Sequence, residues 1–181
     1  HLVMANSVTD IIEIEYPENQ KEAIIKIHDM IKSESFNELY EDSENTRTWW
    51  EENIGAKWVR LQDMDMDLPE DNKFMFNVES AWAEVGGLVG RINELTNSEC
   101  VISHTFIDEM PNFAGIRVYE DGEISKEYVD WDMTETIENE ACVREIAESR
   151  NFTNDSDRWE WMWDWKWDFV HQILENDIVD V

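Results

Sequence analysis

The sequence predicts an α+β fold: one antiparallel sheet with helices on one face and a helical region appended at the C-terminal end. Three observations carry this. The stretch Lys73 to Gly122 reads as strand, helix, strand, turn, strand. Upstream, Ser7 to Lys32 reads as a strand followed by a helix. The order strand, helix, strand, strand, helix, strand, strand, then two helices is that of a ferredoxin-like split β-α-β sheet with an extension. The expected division is 1–3 as a non-native leader, with the natural start at Met4, then 4–132 as the α+β domain and 133–181 as a helical extension packed on it.

In Ser7 to Glu15, Val8, Ile11, Ile12 and Ile14 make a β-rich run that ends at Tyr16-Pro17. The helix expected over Glu18 to Lys32 repeats Ala23, Ile24, Ile27, Met30 and Ile31 at helical spacing and starts after Pro17. His28 falls on its polar side and is expected in solvent. Ser35 to Thr48 is acidic, with Phe36, Leu39 and Tyr40 suggesting a short docking turn. Gly55 is expected to supply a positive φ or a close backbone approach before a strand at Trp58 to Leu61.

Asp63, Asp65 and Asp67 stand at alternate positions, as at the start of an EF-hand loop. Leu68 occupies the glycine position and Phe74 the position of the bidentate Glu, so the loop to Glu70 and Asp71 reads as an acidic hairpin, not a calcium site. Phe74 to Val78 is the next strand. The helix over Glu84 to Asn97 carries Val85, Leu88, Val89, Ile92 and Leu95 on one face. Gly86, Gly87 and Gly90 match no phosphate-loop pattern and are expected to let that helix lie close on the sheet. In the strand Glu99 to Ile107, alternation puts Ile102, His104 and Phe106 on one face and Val101, Ser103, Thr105 and Ile107 on the other. His104 thus reads as a sheet-face residue without a ligand partner in motif spacing. Gly115 to Tyr119 is a further strand, closed by Asp121-Gly122.

Short segments fall here in a telling order: Met4-Ala5-Asn6, Glu52-Asn53-Ile54-Gly55-Ala56-Lys57-Trp58, Ser80-Ala81-Trp82, Asn112-Phe113-Ala114-Gly115 and Asp121-Gly122-Glu123. Together they resemble the YubB-like ferredoxin-like family of phage and plasmid proteins, over about two thirds of the chain, Met4 to Ile124. The sequence departs from that pattern where Ile54 replaces an aromatic and Ala83-Glu84 replaces a Ser-Pro step. The resemblance implies a fold and a mobile-element origin, and no activity.

Past Ile124, Ser125 to Asp132 reads as a strand and Thr134 to Ser149 as a helix. Asp155 or Ser156 is expected to cap the tryptophan-rich element that follows. Its alternating tryptophans suggest a strand, but a helix accounts for more of the segment. A step of about 100° per residue puts Trp159, Met162, Trp163, Trp167, Val170, Ile173 and Leu174 on one face. Glu160, Asp164, Asp168 and Glu175 line the other, flanked by Trp161 and Trp165.

Charge is the compositional outlier: 43 acids against 14 bases give a net −29. Such a field repels nucleic acid and anionic membranes and attracts basic surfaces. Cys100 and Cys142 read as reduced, which with the absence of a signal peptide or spanning apolar run points to the host cytoplasm. No nucleophile elbow, His-Glu-x-x-His or Cys–His signature is present, so a non-enzyme without cofactor or metal is expected. The expected partner is a basic, nucleic-acid-binding host protein, met through Asp63, Asp65, Asp67, Glu70, Asp71, Glu160, Asp164 and Asp168, with Trp161 and Trp165 as anchors. Two alternatives stay open: a tryptophan-anchored interaction module without charge mimicry, and an acidic surface that only adapts the protein to salt.

Overall fold

The structure is a computed structural model that describes residues 6–42, 44–139 and 148–181, without the side chains of Trp159, Met162 and Trp163. It is α+β, built on a seven-stranded antiparallel sheet. The strands are β1 (Ser7–Glu15), β2 (Lys57–Met64), β3 (Lys73–Ala81), β4 (Val101–Asp108), β5 (Ala114–Glu120), β6 (Glu123–Asp130) and β7 (Val179–Asp180). Their order is β2-β3-β1-β4-β5-β6-β7. The helices are α1 (Lys21–Lys32), α2 (Arg47–Asn53), α3 (Gly86–Leu95), α4 (Met133–Asn139) and α5 (Asp155–Asp177).

Register explains the layering. Ile12 pairs with Phe76 on one side and His104 on the other, and Ile14 with Phe74 and Ile102. These even-numbered side chains therefore share a face, and α1 and α3 cover it with Ile24, Ile27, Ile31, Leu88, Val89 and Ile92. Ile92 is fully buried as its spacing requires, and Leu95 is half-buried at the edge. The predicted alternation of β4 holds, and it has a consequence. Ile107 pairs with Ala114 and points to the opposite face, with Ile116 and Tyr128. There a second core forms under α4 and α5 from Met133, Ile137, Val170, Ile173 and Leu174. Helices thus lie on both faces, where one was expected. The expectation failed because the odd face of β4–β6 is apolar enough to need its own cover.

Other elements differ from the sequence reading. Helix α2 was unforeseen; Thr46 caps it by accepting from the Trp49 N–H at 3.2 Å, and Trp49 is buried. Phe36 and Leu39 dock on a 3-10 turn, as expected. His28 is buried, not solvated: its Nε2–H donates to the Asp65 carbonyl at 2.7 Å and its ring meets Phe74. Helical spacing alone could not show that the β2–β3 hairpin folds over that side of α1. Asn154 caps α5, accepting from the Asp157 N–H, one residue before the expected caps. Gly87 meets α2 and not the sheet: a Cβ there would lie 2.1 Å from the Asn53 carbonyl oxygen. Gly55 has φ 103° and its Cα faces the Glu84 carbonyl, so both of its expected roles apply. The chain's last strand, β7, pairs with β6 at the sheet edge. The Met4-Ala5 start, Cys142 and positions 140–147 of the helix expected over Thr134 to Ser149 lie outside the described residues, α4 being its described N-terminal part, while Cys100 is a buried free thiol. Among the described residues no helix is long and apolar enough to cross a membrane.

Candidate functional site

The expected partner-binding residues divide by position. On α5, Glu160, Asp164 and Asp168 are exposed at successive i, i+4 steps. None of them forms an ion pair among the described residues. Trp165 stands beside them and is 48% exposed. The lysine of this helix, Lys166, is buried and donates to the Glu109 carbonyl. Trp161 packs into the second core between Phe152 and Phe169, which leaves Trp165 as the exposed anchor of the pair.

Asp63 stands on β2, paired with Asn77 of β3, and the segment from Asp65 to Asn72 is the β2–β3 hairpin loop. Asp67, Glu70 and Asp71 are exposed, and so is Asp63, whose Oδ1 accepts from the Met64 N–H. Asp65 is half-buried and structural: its carboxylate accepts from the Met75 N–H at 2.9 Å and its carbonyl from His28. With Asp65 committed and no glycine turn, the loop is expected to bind calcium no tighter than about 10⁻⁴ M. Calorimetry that gave submicromolar affinity, lost in Asp65→Asn, would contradict this assignment.

A second constellation was not legible in the sequence. Asp10 of β1 is fully buried. Its carboxylate accepts from the Ser80 hydroxyl at 2.7 Å, the Val85 N–H at 3.1 Å and His104 Nε2–H at 2.8 Å. Burial pushes the Asp10 carboxyl above the usual range, against the pull of these three donors. Cross-strand pairing then sets His104 beside Arg117 and Arg117 beside Glu127 on one face. Arg117 bonds Glu84 at 3.1 Å and Glu127 at 2.8 Å. His104 Nδ1 faces Glu84 Oε2 at 3.9 Å, and neither atom has a hydrogen-bond partner among the described residues.

Asp10, Glu84 and His104 bring donor atoms within 4.8 Å of one another, the donor types of a divalent-cation site. Arg117 already places a cation on Glu84, and the Asp10 oxygens are taken by three donors. The cluster is therefore an internal charge network. Its mechanical effect is clear, because Asp10 grips Ser80 and Val85, the two ends of the turn that carries Trp82. The Ser80 hydroxyl also lies 2.8 Å from the Ala83 carbonyl, within the same turn, so its one proton is shared between the two acceptors.

Above that turn, Trp58 and Trp82 flank Lys57, whose ammonium lies 4.5 Å from one ring centroid and 6.0 Å from the other. The Lys57-Trp58 and Ser80-Ala81-Trp82 segments, far apart in sequence, meet here because Lys57 pairs with Ala81.

No family model matches the chain, and no curated protein matches it. A solved structure, protein api92 from Yersinia pseudotuberculosis of the family designated DUF1281, is similar at 14% identity with a TM-score of 0.34. The likeness covers 47% of this chain and 30% of that one, less than a third of the neighbour's length. A likeness this loose carries neither fold nor function to this chain.

Proposed function

We propose that this protein docks on a basic, nucleic-acid-binding surface of a host protein and takes the place of the nucleic acid there, as a non-enzymatic inhibitor of mobile-element origin. The observation that carries the proposal is the α5 stripe of Glu160, Asp164 and Asp168, exposed and without a cationic partner among the described residues. Four residues of helix rise about 6 Å, against about 3.4 Å per phosphate along one DNA strand, so the stripe offers a sparser line of the same sign. Trp165 adds an apolar anchor that a charged surface lacks. The exposed loop acids extend the field without being part of the same face. We read the β1–β4 half, with its order β2-β3-β1-β4 and its helices α1 and α3 between strands, as ferredoxin-like. That reading agrees with the family resemblance.

The test uses DNA-binding proteins retained from a bacterial lysate. Duplex DNA should displace them, and the protein itself should not bind DNA. Changing Glu160, Asp164 and Asp168 together to Lys should abolish retention while the melting temperature stays nearly unchanged, because exposed charges contribute only about 0–1 kcal/mol each. Retention that survives both the triple change and raised salt would instead support a partner surface anchored by Trp165.

A further inference from the structure

We propose that the cavity beside Trp82 binds a small molecule in which an oxyanion, carboxylate or phosphate, is carried on a flat ring: the oxyanion meets Lys57 and Arg47, and the ring lies on the indole of Trp82. Three independent observations support it. First, Lys57 is only 9% exposed, while its ammonium reaches the opening and meets no carboxylate or hydrogen-bond acceptor among the described residues. Buried cations are ordinarily paired. In this chain the two mostly buried arginines follow that rule, with Arg91 and Arg117 each on a carboxylate. The two indoles beside Lys57 offset part of its desolvation and leave its ammonium free to take an anion.

Second, Trp58 and Trp82 have φ of 54° and 71°, in the left-handed region that bulky residues avoid. They are 66% and 52% exposed, so burial does not account for holding them there. The strain places two rings over one cation, and backbone strain of this kind gathers at ligand sites. The Asp10 network beneath, which grips both ends of the Trp82 turn, pre-organises the arrangement.

Third, the cavity is about 550 Å³, bounded by Arg47, Gly55, Lys57, Ala81, Trp82 and Ala83. That is the size of small-molecule sites. The one acid on its wall, Glu51, is taken by Arg47 Nε at 2.9 Å, and no other hydrogen bond of the Arg47 guanidinium is formed among the described residues. The charge left unmet inside is therefore positive, in a molecule of net −29.

Two sources share this chemistry, nucleoside monophosphates and aromatic carboxylic acids, and the experiment separates them. Titration calorimetry and ligand-observed NMR on the full chain would use adenosine and uridine monophosphate, indole-3-acetate and 4-hydroxybenzoate. Adenosine, indole and inorganic phosphate serve as partial probes. At least one ring-bearing anion is expected to bind with Kd below about 1 mM, and about tenfold more tightly than its uncharged counterpart or phosphate. Lys57→Met, which keeps the aliphatic stem under the indoles, should abolish that binding. Arg47→Gln, at an exposed position whose ion pair with Glu51 is worth only about 0–1 kcal/mol, should weaken it several-fold. Changing Glu160, Asp164 and Asp168 to Lys should leave it intact, so its failure and that of partner docking are separable. The proposal is overturned if no ring-bearing anion binds, if adenosine, indole or phosphate binds as tightly, or if binding survives both Lys57→Met and Arg47→Gln.

Discussion

Replacing Asp10 by Ala is expected to destabilise the protein by about 3–5 kcal/mol, the cost of leaving buried partners of a charge unpaired. The loss falls on the Val85 N–H and His104, while the Ser80 hydroxyl keeps the Ala83 carbonyl as an acceptor. Neither can turn to water, because Val85 and His104 are buried with Asp10. Asn at position 10 keeps an acceptor for Val85 and should cost roughly half as much, since net hydrogen bonds to charged groups are worth about 1.5–3 kcal/mol. Denaturant unfolding gives the answer, with the midpoint shifting and the slope unchanged. A loss below about 1 kcal/mol in Asp10→Ala would mean that the network is hydrated.

The second large effect compares two glycines three residues apart on α3. A Cβ on Gly87 would sit 2.1 Å from the Asn53 carbonyl oxygen and 2.9 Å from the Ile54 carbonyl carbon. Both are backbone atoms of the α2 C-terminus, which the Tyr40 hydroxyl also approaches, 2.9 Å from the Asn53 carbonyl and 3.0 Å from that of Gly87. Neither side can yield cheaply, so Gly87→Ala is expected to cost about 2–3 kcal/mol through overpacking. A Cβ on Gly90 meets nothing within 4 Å. There the backbone entropy of a helical glycine decides, and Gly90→Ala should stabilise by about 0.5–1 kcal/mol. Opposite signs from the same substitution in the same helix would be read directly from melting temperatures. Equal signs would show that α2 and α3 are not packed as described.

Much of the sheet was legible because each strand carries its own signal. The run Val8, Ile12, Ile14 and the alternation of β4 report burial locally, and register follows from them. The turn Asp121-Gly122 and Gly55 were readable because their conformations demand a residue type. What was not legible is non-local. Asp10 looks like a polar residue interrupting a strand until Ser80, Val85 and His104, 70 to 94 positions away, are brought to it. Lys57 looks like one base among 14 until Trp82 arrives across the β2–β3 pair. Trp161 and Trp165 were placed together by helical spacing, yet one is core and one is surface. That distinction depends on Phe152, which precedes the helix and packs back on Trp161. The acidic stripe of α5 needed only spacing and was read from it.

Strand β4 is buried along one face, with Ile102 in the core under α1 and α3 and Phe106 on the same side, and at its C-terminal end on the other, where Ile107 joins the second core. It is the wall between two cores that otherwise have separate helices. Such a wall gives the molecule two tiers of opening. Undocking α4 and α5 and releasing β5, β6 and β7 exposes one face of β4, yet leaves its ladder with β1 and the core under α1 and α3 in place. The reverse event breaks the ladders of β1 with both β3 and β4 and dissolves the sheet. Native-state amide exchange should therefore separate into two cooperative groups, the C-terminal elements exchanging through a cheaper sub-global opening and the amides of β1, β3 and β4 only through global unfolding.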